Sequence, residues 1–139
     1  MEADLTKAKE LLLGSSHTCV LVQGSTCYSS DHRGVKPLLG WLDDGTDLQG
    51  FSAADKVVGK AAAYLYVLLG VKAVYARVIS RPSVAVLEEN GIEVFFETQV
   101  DAIRNRTDTG LCPMEQAVKA AGSPHQALDM VRQALEKLT

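Results

Sequence analysis

One stretch constrains this chain more than any other: residues 60–70, KAAAYLYVLLG, which are apolar on every side of a helical turn once Lys60 is passed. A helix of that kind offers water no face and must be covered all round. Residues 71–79, VKAVYARVI, follow at once and are β-branched and largely apolar, the composition of a buried internal strand. Helix followed directly by buried strand is the pattern of a parallel crossover. A layered α/β domain is therefore predicted, rather than a helical bundle or a β-sandwich.

The remaining elements fit that frame. Asp4 can cap a first helix carrying Leu5, Ala8 and Leu12 at helical spacing, closed by Gly14. Residues 18–23 and 26–30 read as strands joined through Gly24-Ser25, an antiparallel hairpin. A short helix follows over 35–42, with Pro37 in its first turn. Ser52 offers an N-cap, and the longest helix is predicted over 53–69, with Asp55, Lys56, Gly59 and Lys60 in its first turns. Ser80 and Pro82 open a further helix that ends at Asn90-Gly91, and 92–97 alternate as a strand. Cys112-Pro113 begins a helix reaching about 121. Ser123-Pro124-His125-Gln126 forms a capping box before a last helix with Leu128, Val131, Leu135 and Leu138 as its buried stripe. The prediction is one three-layer α-β-α domain over 1–139, with a mixed sheet of four or five strands beginning with the hairpin.

Bulk properties narrow the partners. Fourteen basic against 17 acidic residues give a formal charge of −3, with no basic stripe of the kind that grips a phosphate backbone, which disfavours nucleic acid. No apolar run reaches the roughly 18 residues that suggest a membrane span. The opening MEADLTKAKELLLG is acidic and then amphipathic, unlike a secretory signal. Three cysteines at unrelated spacings fit free thiols in a reducing compartment, so a cytoplasmic location is expected. Homo-oligomerisation is left open.

Glycine-rich nucleotide loops, paired C-x-x-C, H-E-x-x-H and G-x-S-x-G are all missing from the sequence. Three segments could carry chemistry. In the first, Asp55, Lys56, Gly59 and Lys60 begin the predicted long helix, which puts two lysines one turn apart at the positive end of its dipole. Two lysines there call for an anion, either a carboxylate of the protein or a ligand; the alternative is a solvated first turn. In the second, Cys112-Pro113-Met114-Glu115, Glu115 falls where it can bond back to the cap. Cysteine is a poor cap, and a thiol at a helix N-terminus is a nucleophile or metal-ligand candidate as well as a buried structural thiol. In the third, Asn105 and Arg106 could give donors to an anionic ligand, although charged loops are common. His17, His32 and His125 make no ligand pattern.

Together ADKVVGKAAAYL, VKAVYARVISRPS, NGIEV and IRNRTDTGLCPMEQAV resemble a small family of uncharacterised prokaryotic proteins, a domain of unknown function described as having the cytidine-deaminase-like fold. The resemblance covers about residues 18–121, and DKVVGKA and GLCPME are its most specific strings. Zinc deaminases begin one helix with H-x-E or C-x-E and a later one with P-C-x-x-C. The resemblance implies that Asp55 stands at the first ligand position, Val57 at the proton-shuttling glutamate, and Cys112 and Glu115 at the two cysteines. That is a poor zinc set and lacks the glutamate, so hydrolytic deamination is disfavoured and no bound zinc or other cofactor is expected.

The first-ranked expectation is thus a metal-free cleft where two helix N-termini meet. Lys56, Gly59, Lys60, Asn105, Arg106 and Glu115 would bind a small anionic metabolite or nucleotide, with Asp55 and Cys112 as candidate catalytic groups. The side chains of Asp55 and Cys112 are expected within about 8 Å of each other, as members of one pocket. A metal hydrolase using Asp55, Cys112 and Glu115, or a non-catalytic regulatory module, are the alternatives.

Overall fold

The computed structural model describes residues 2–32, 34–104 and 112–138. Ala3–Leu13 forms α1, preceded by Glu2 at the N-cap position; Asp4 lies within the first turn and accepts a hydrogen bond from the Gly24 amide instead of capping. Cys19–Gln23 (β1) and Thr26–Ser30 (β2) make the predicted hairpin, turning through Gly24 at φ +58°, a left-handed conformation that glycine adopts without cost. Lys36–Asp44 is α2.

The next element corrects the sequence reading. Ser52–Val58 is a strand, β3, and not the first half of a long helix. It pairs antiparallel with β1, setting Ser52 opposite Val22 and Asp55 opposite Cys19. On its other side it pairs in parallel with Ala73–Ser80 (β4), setting Asp55 opposite Ala76. Ser52 through Asp55 are all buried. The helix preference of two alanines, a few tenths of a kcal/mol each, is small beside two complete ladders and burial on both faces. Ser52, the supposed cap, donates its hydroxyl to Glu2 Oε1 at 3.0 Å.

Only after Gly59 does the chain become helical, as α3, Lys60–Leu69, ending at Gly70 with φ +77°. Arg81–Glu89 is α4 and Glu93–Val100 is β5. Pro113–Ala117 is α5, which stops short of the predicted 121, and Pro124–Leu138 is α6. At 15 residues α6, not α3, is the longest helix among the described residues.

The sheet runs β2-β1-β3-β4-β5, antiparallel across its first three strands and parallel across the rest. It is a five-stranded mixed sheet opened by a hairpin. The crossover β4-α4-β5 is as the sequence predicts, and β3-α3-β4 forms because 52–58 supply a strand where helix was predicted. On one face α1 buries Leu5, Ala8 and Leu12 against Val20, Val22, Ala54 and Tyr75. Each fully buried leucine contributes about 1.5–3 kcal/mol of transfer free energy. On the other face α3 is enclosed by α2, α4 and α6, and Ala61 to Tyr66 and Leu69 are buried, as its apolar circumference demands. Val131 is buried in the α6 stripe and Leu128 and Leu135 are partly buried; the side chain of Leu138 lies outside the described residues. Among the described residues no helix is long and apolar enough to cross a membrane.

Candidate functional site

The first amides of a helix have no partner within it and need acceptors from elsewhere. In α3 that acceptor comes from 55 residues away. Glu115 Oε1 accepts from the Lys60 amide at 2.8 Å, and Oε2 accepts from the Ala61 amide at 3.2 Å. Glu115 sits in the first turn of α5, yet it caps α3 and not its own helix. Gly59 makes room for it: a Cβ there would lie 2.6 Å from the Glu115 carboxyl carbon. With φ −94° and ψ 178°, Gly59 has an ordinary backbone, so space and not conformation requires glycine.

The anion called for at this helix end is thus a carboxylate of the protein. Lys56 is on a strand and Lys60 on a helix, so they are not neighbours on one helical face. Lys60 Nζ donates to the Lys119 carbonyl at 3.3 Å and lies 5.7 Å from the centre of the Tyr64 ring. Lys60 is not part of the cleft described below.

Asp55 is buried near the end of the central strand. Its Oδ2 accepts from the Tyr66 hydroxyl at 2.7 Å, and its Oδ1 accepts from the Val57 amide at 3.3 Å. Tyr66 Oη also lies 3.1 Å from Cys19 Sγ, which closes a buried Cys19–Tyr66–Asp55 chain. Burial pushes the Asp55 carboxyl up to about 7, against the opposing pull of the Tyr66 hydroxyl and the Val57 and Lys56 amides. Burial likewise pushes the Tyr66 hydroxyl and the Cys19 thiol well above their ordinary values, and the Asp55 charge adds to both.

A cleft of about 530 Å³ opens at this end of β3. Asp55, Lys56 and Gly59 form one wall, Cys112 and Glu115 a second, and Thr18 and Asp31 a third. Val35, Ala61, Ile103 and Met114 give it an apolar lining between these polar groups. Cys112 is half-buried; as N-cap of α5 it makes no side-chain capping bond. Five of the eight sequence-selected residues, Asp55, Lys56, Gly59, Cys112 and Glu115, therefore share one cleft, while Lys60 does not. Asn105 and Arg106 lie outside the described residues.

Residues 7–135 match the model of a family described as a domain of unknown function, DUF1893. The chain belongs to that family. A crystal structure of a DUF1893 protein from Thermotoga maritima superposes with a TM-score of 0.84 at 24% identity, over 99% of this chain and 92% of that one. A Thermotoga maritima diaminohydroxyphosphoribosylaminopyrimidine deaminase/5-amino-6-(5-phosphoribosylamino)uracil reductase matches far more distantly. There the TM-score is 0.44 at 16% identity, over 68% of this chain and 35% of the other. No curated protein matches the sequence at a significant level.

Within this DUF1893 domain the deaminase positions implied by the resemblance need correction. The first zinc ligand of a deaminase belongs at a helix start. Asp55 is in a strand, and the helix start is Gly59-Lys60-Ala61, over which the Glu115 carboxylate lies. Both Glu115 oxygens and both Asp55 oxygens already accept hydrogen bonds from the protein. Among the described residues no three His, Cys, Asp or Glu side chains converge as a metal-ligand set.

Tyr66 and Cys19 were missed by sequence reasoning, although a signal was there. A tyrosine inside a helix otherwise apolar all round must find a partner for its hydroxyl, and the nearest acidic residue preceding it in the sequence is Asp55.

Proposed function

We propose that this protein binds a small heterocyclic metabolite of the nucleoside or nucleotide kind in the cleft at the end of β3. The observation that carries the reading is the cleft itself: about 530 Å³, largely apolar, with Asp55, Lys56, Asp31, Thr18 and Cys112 converging on it. That size and that mixture of apolar wall and few polar groups suit a small organic ligand. The position of the cleft beyond the carboxyl end of a parallel-paired strand, beside a helix start, supports it further. An anionic group on the ligand would be met by Lys56, which makes no hydrogen bond or ion pair through its side chain among the described residues. Lys60 is already directed to Lys119. The metal-hydrolase alternative draws less support, because among the described residues no three His, Cys, Asp or Glu side chains converge as a metal-ligand set and both Glu115 oxygens are engaged with the α3 amides.

The test is a thermal-shift screen of nucleosides, their monophosphates and inorganic phosphate. A ligand at about 100 times its Kd adds about 2.7 kcal/mol to stability, a readily measured rise in Tm. At least one nucleoside or nucleotide is expected to give such a rise, and inorganic phosphate is not. A flat screen, or a response to phosphate alone, rejects the proposal.

A further inference from the structure

Asp55 is the side chain of this cleft whose presence most needs an explanation. It lies in the central strand and is buried, yet it forms part of the cleft wall. A carboxyl group in such a place carries a large desolvation penalty once ionised. An asparagine would avoid it, keeping the Val57 bond at its one carbonyl oxygen and turning its NH2 to the Tyr66 oxygen. The groups around Asp55 do nothing to pair its charge. Tyr66 and Cys19 are neutral donors packed on it from α3 and β1, and its β4 neighbour is Ala76. Around the cleft stand Asp31, Cys112 and Glu115, the last engaged with α3. Lys56 is the one cation lining the cleft among the described residues, and no ion pair joins it to Asp55. The Tyr66 hydroxyl donates to one oxygen and the Val57 amide to the other, so each oxygen keeps acceptor capacity.

Resting on the reading of this cleft as a small-molecule site, we propose that Asp55 is its recognition group. It takes a planar cationic nitrogen donor, an amidine or a protonated aminoheterocycle, whose apolar body packs among Val35, Ala61 and Met114. An amidinium offers N–H groups in the spacing a carboxylate accepts, and in a partly desolvated cleft that charge-assisted pairing is stronger than in water. Tyr66 is a positioning residue: its hydroxyl fixes Oδ2 and favours the ionised carboxylate. Because burial holds the Asp55 proton up to about pH 7, the cation and the proton compete for the same group.

Benzamidine is the probe, with benzamide and benzoate as neutral and anionic controls on the same ring. Its charge is constant across the range of interest, so the pH profile reports the protein. Calorimetric affinity for benzamidine is expected to rise about tenfold between about pH 6 and pH 8, following ionisation of one group near 7. Asp55→Asn lowers it to the level of benzamide and flattens the profile. Tyr66→Phe moves the midpoint of the profile upward, which a purely structural role would not do. His17 Nδ1 lies 2.6 Å from Asp31, which lines the cleft, so His17→Gln is the control and leaves the profile in place.

If Asp55→Asn does not fold, the Tyr66→Phe midpoint and the carboxyl-carbon NMR shift of Asp55 on adding benzamidine to wild type carry the test. Benzoate binding more tightly than benzamidine, or a flat wild-type profile, overturns the proposal. Benzamidine binding as described with no nucleoside or nucleotide response retains this inference and rejects the nucleoside reading. Nucleotide binding without benzamidine binding does the reverse, and silence from both overturns both.

Discussion

The carboxylate of Glu115 occupies the space into which a side chain on Gly59 would project. A Cβ added to Gly59 would meet its carboxyl carbon and Oε1 at 2.6 Å and Oε2 at 2.9 Å. This contact joins the two most distinctive strings of the sequence, DKVVGKA and GLCPME, in one interaction. Glycine is small there so that the carboxylate can reach the Lys60 and Ala61 amides.

Gly59→Ala therefore expels Glu115 and uncaps α3, at an expected cost of about 1–3 kcal/mol. Glu115→Ala removes the same two hydrogen bonds and costs a similar amount. The double variant costs clearly less than the two added together, because the second change has nothing left to break. Urea denaturation of the four proteins measures the cycle. Strict additivity would mean that the two residues do not act on one another.

Asp55 makes stability depend on pH in an unusual direction for a carboxylate. Its folded-state value, about 7, lies above the ordinary 3.8, so between these limits the folded protein holds a proton that the unfolded chain has released. Its contribution to stability is full below about pH 4 and is lost as pH rises toward and through 7. The slope is at most about 1.4 kcal/mol per pH unit. Asp55→Asn removes this slope, so the variant gains on wild type as pH is raised from about 5 to 8. Denaturation of both proteins at the two pH values checks the sign, and a wild type that gains stability relative to the variant over that range contradicts it.

The three cysteines separate by accessibility. Cys27 is exposed on the edge strand, Cys112 is half-buried on the cleft wall, and Cys19 is buried against Tyr66 with its thiol pushed well up by desolvation. A thiol-specific reagent applied to native protein is expected to modify Cys27 quickly, Cys112 more slowly and Cys19 only on unfolding. A ligand in the cleft protects Cys112 and leaves Cys27 unchanged. Native-state modification of Cys19, read by peptide mass, would show that the buried chain opens readily.

Much of this architecture was legible because it follows from burial. The all-round apolar helix around Tyr64 and Leu65, the buried strand after it and the opening hairpin are each fixed by local pattern. Ser52–Val58 was misread because its first residues, Ser-Ala-Ala-Asp, carry the preferences of a helix N-terminus, while the ladders on either side belong to distant chain segments. Val57-Val58-Gly59 held the correct signal: two β-branched residues, then a glycine before the helix. Asp55, Cys112 and Glu115, all singled out from the sequence, line one cleft, but Asp55 does so from a strand and not from a helix start. Glu115 bonds across to α3, a partner 55 positions away that no spacing rule reveals, and of the two anions the sequence allows there, a protein carboxylate or a ligand, it is the former.

That reassignment separates the two lysines. Lys60 makes one exposed hydrogen bond to Lys119 and lies over Tyr64, outside the cleft, so Lys60→Met is expected to cost less than about 1 kcal/mol and leave ligand affinity unchanged. Lys56 is half-buried on the cleft wall with no side-chain partner among the described residues. Lys56→Met should leave stability within about 0.5 kcal/mol of wild type. If the ligand carries a phosphate, the same change weakens the nucleoside monophosphate by about 1–3 kcal/mol and the parent nucleoside hardly at all. Paired melts and titrations of both variants decide the matter. A phosphate-specific loss in Lys60→Met, with none in Lys56→Met, would return the anion site to the helix start and displace Glu115 from the role given to it here.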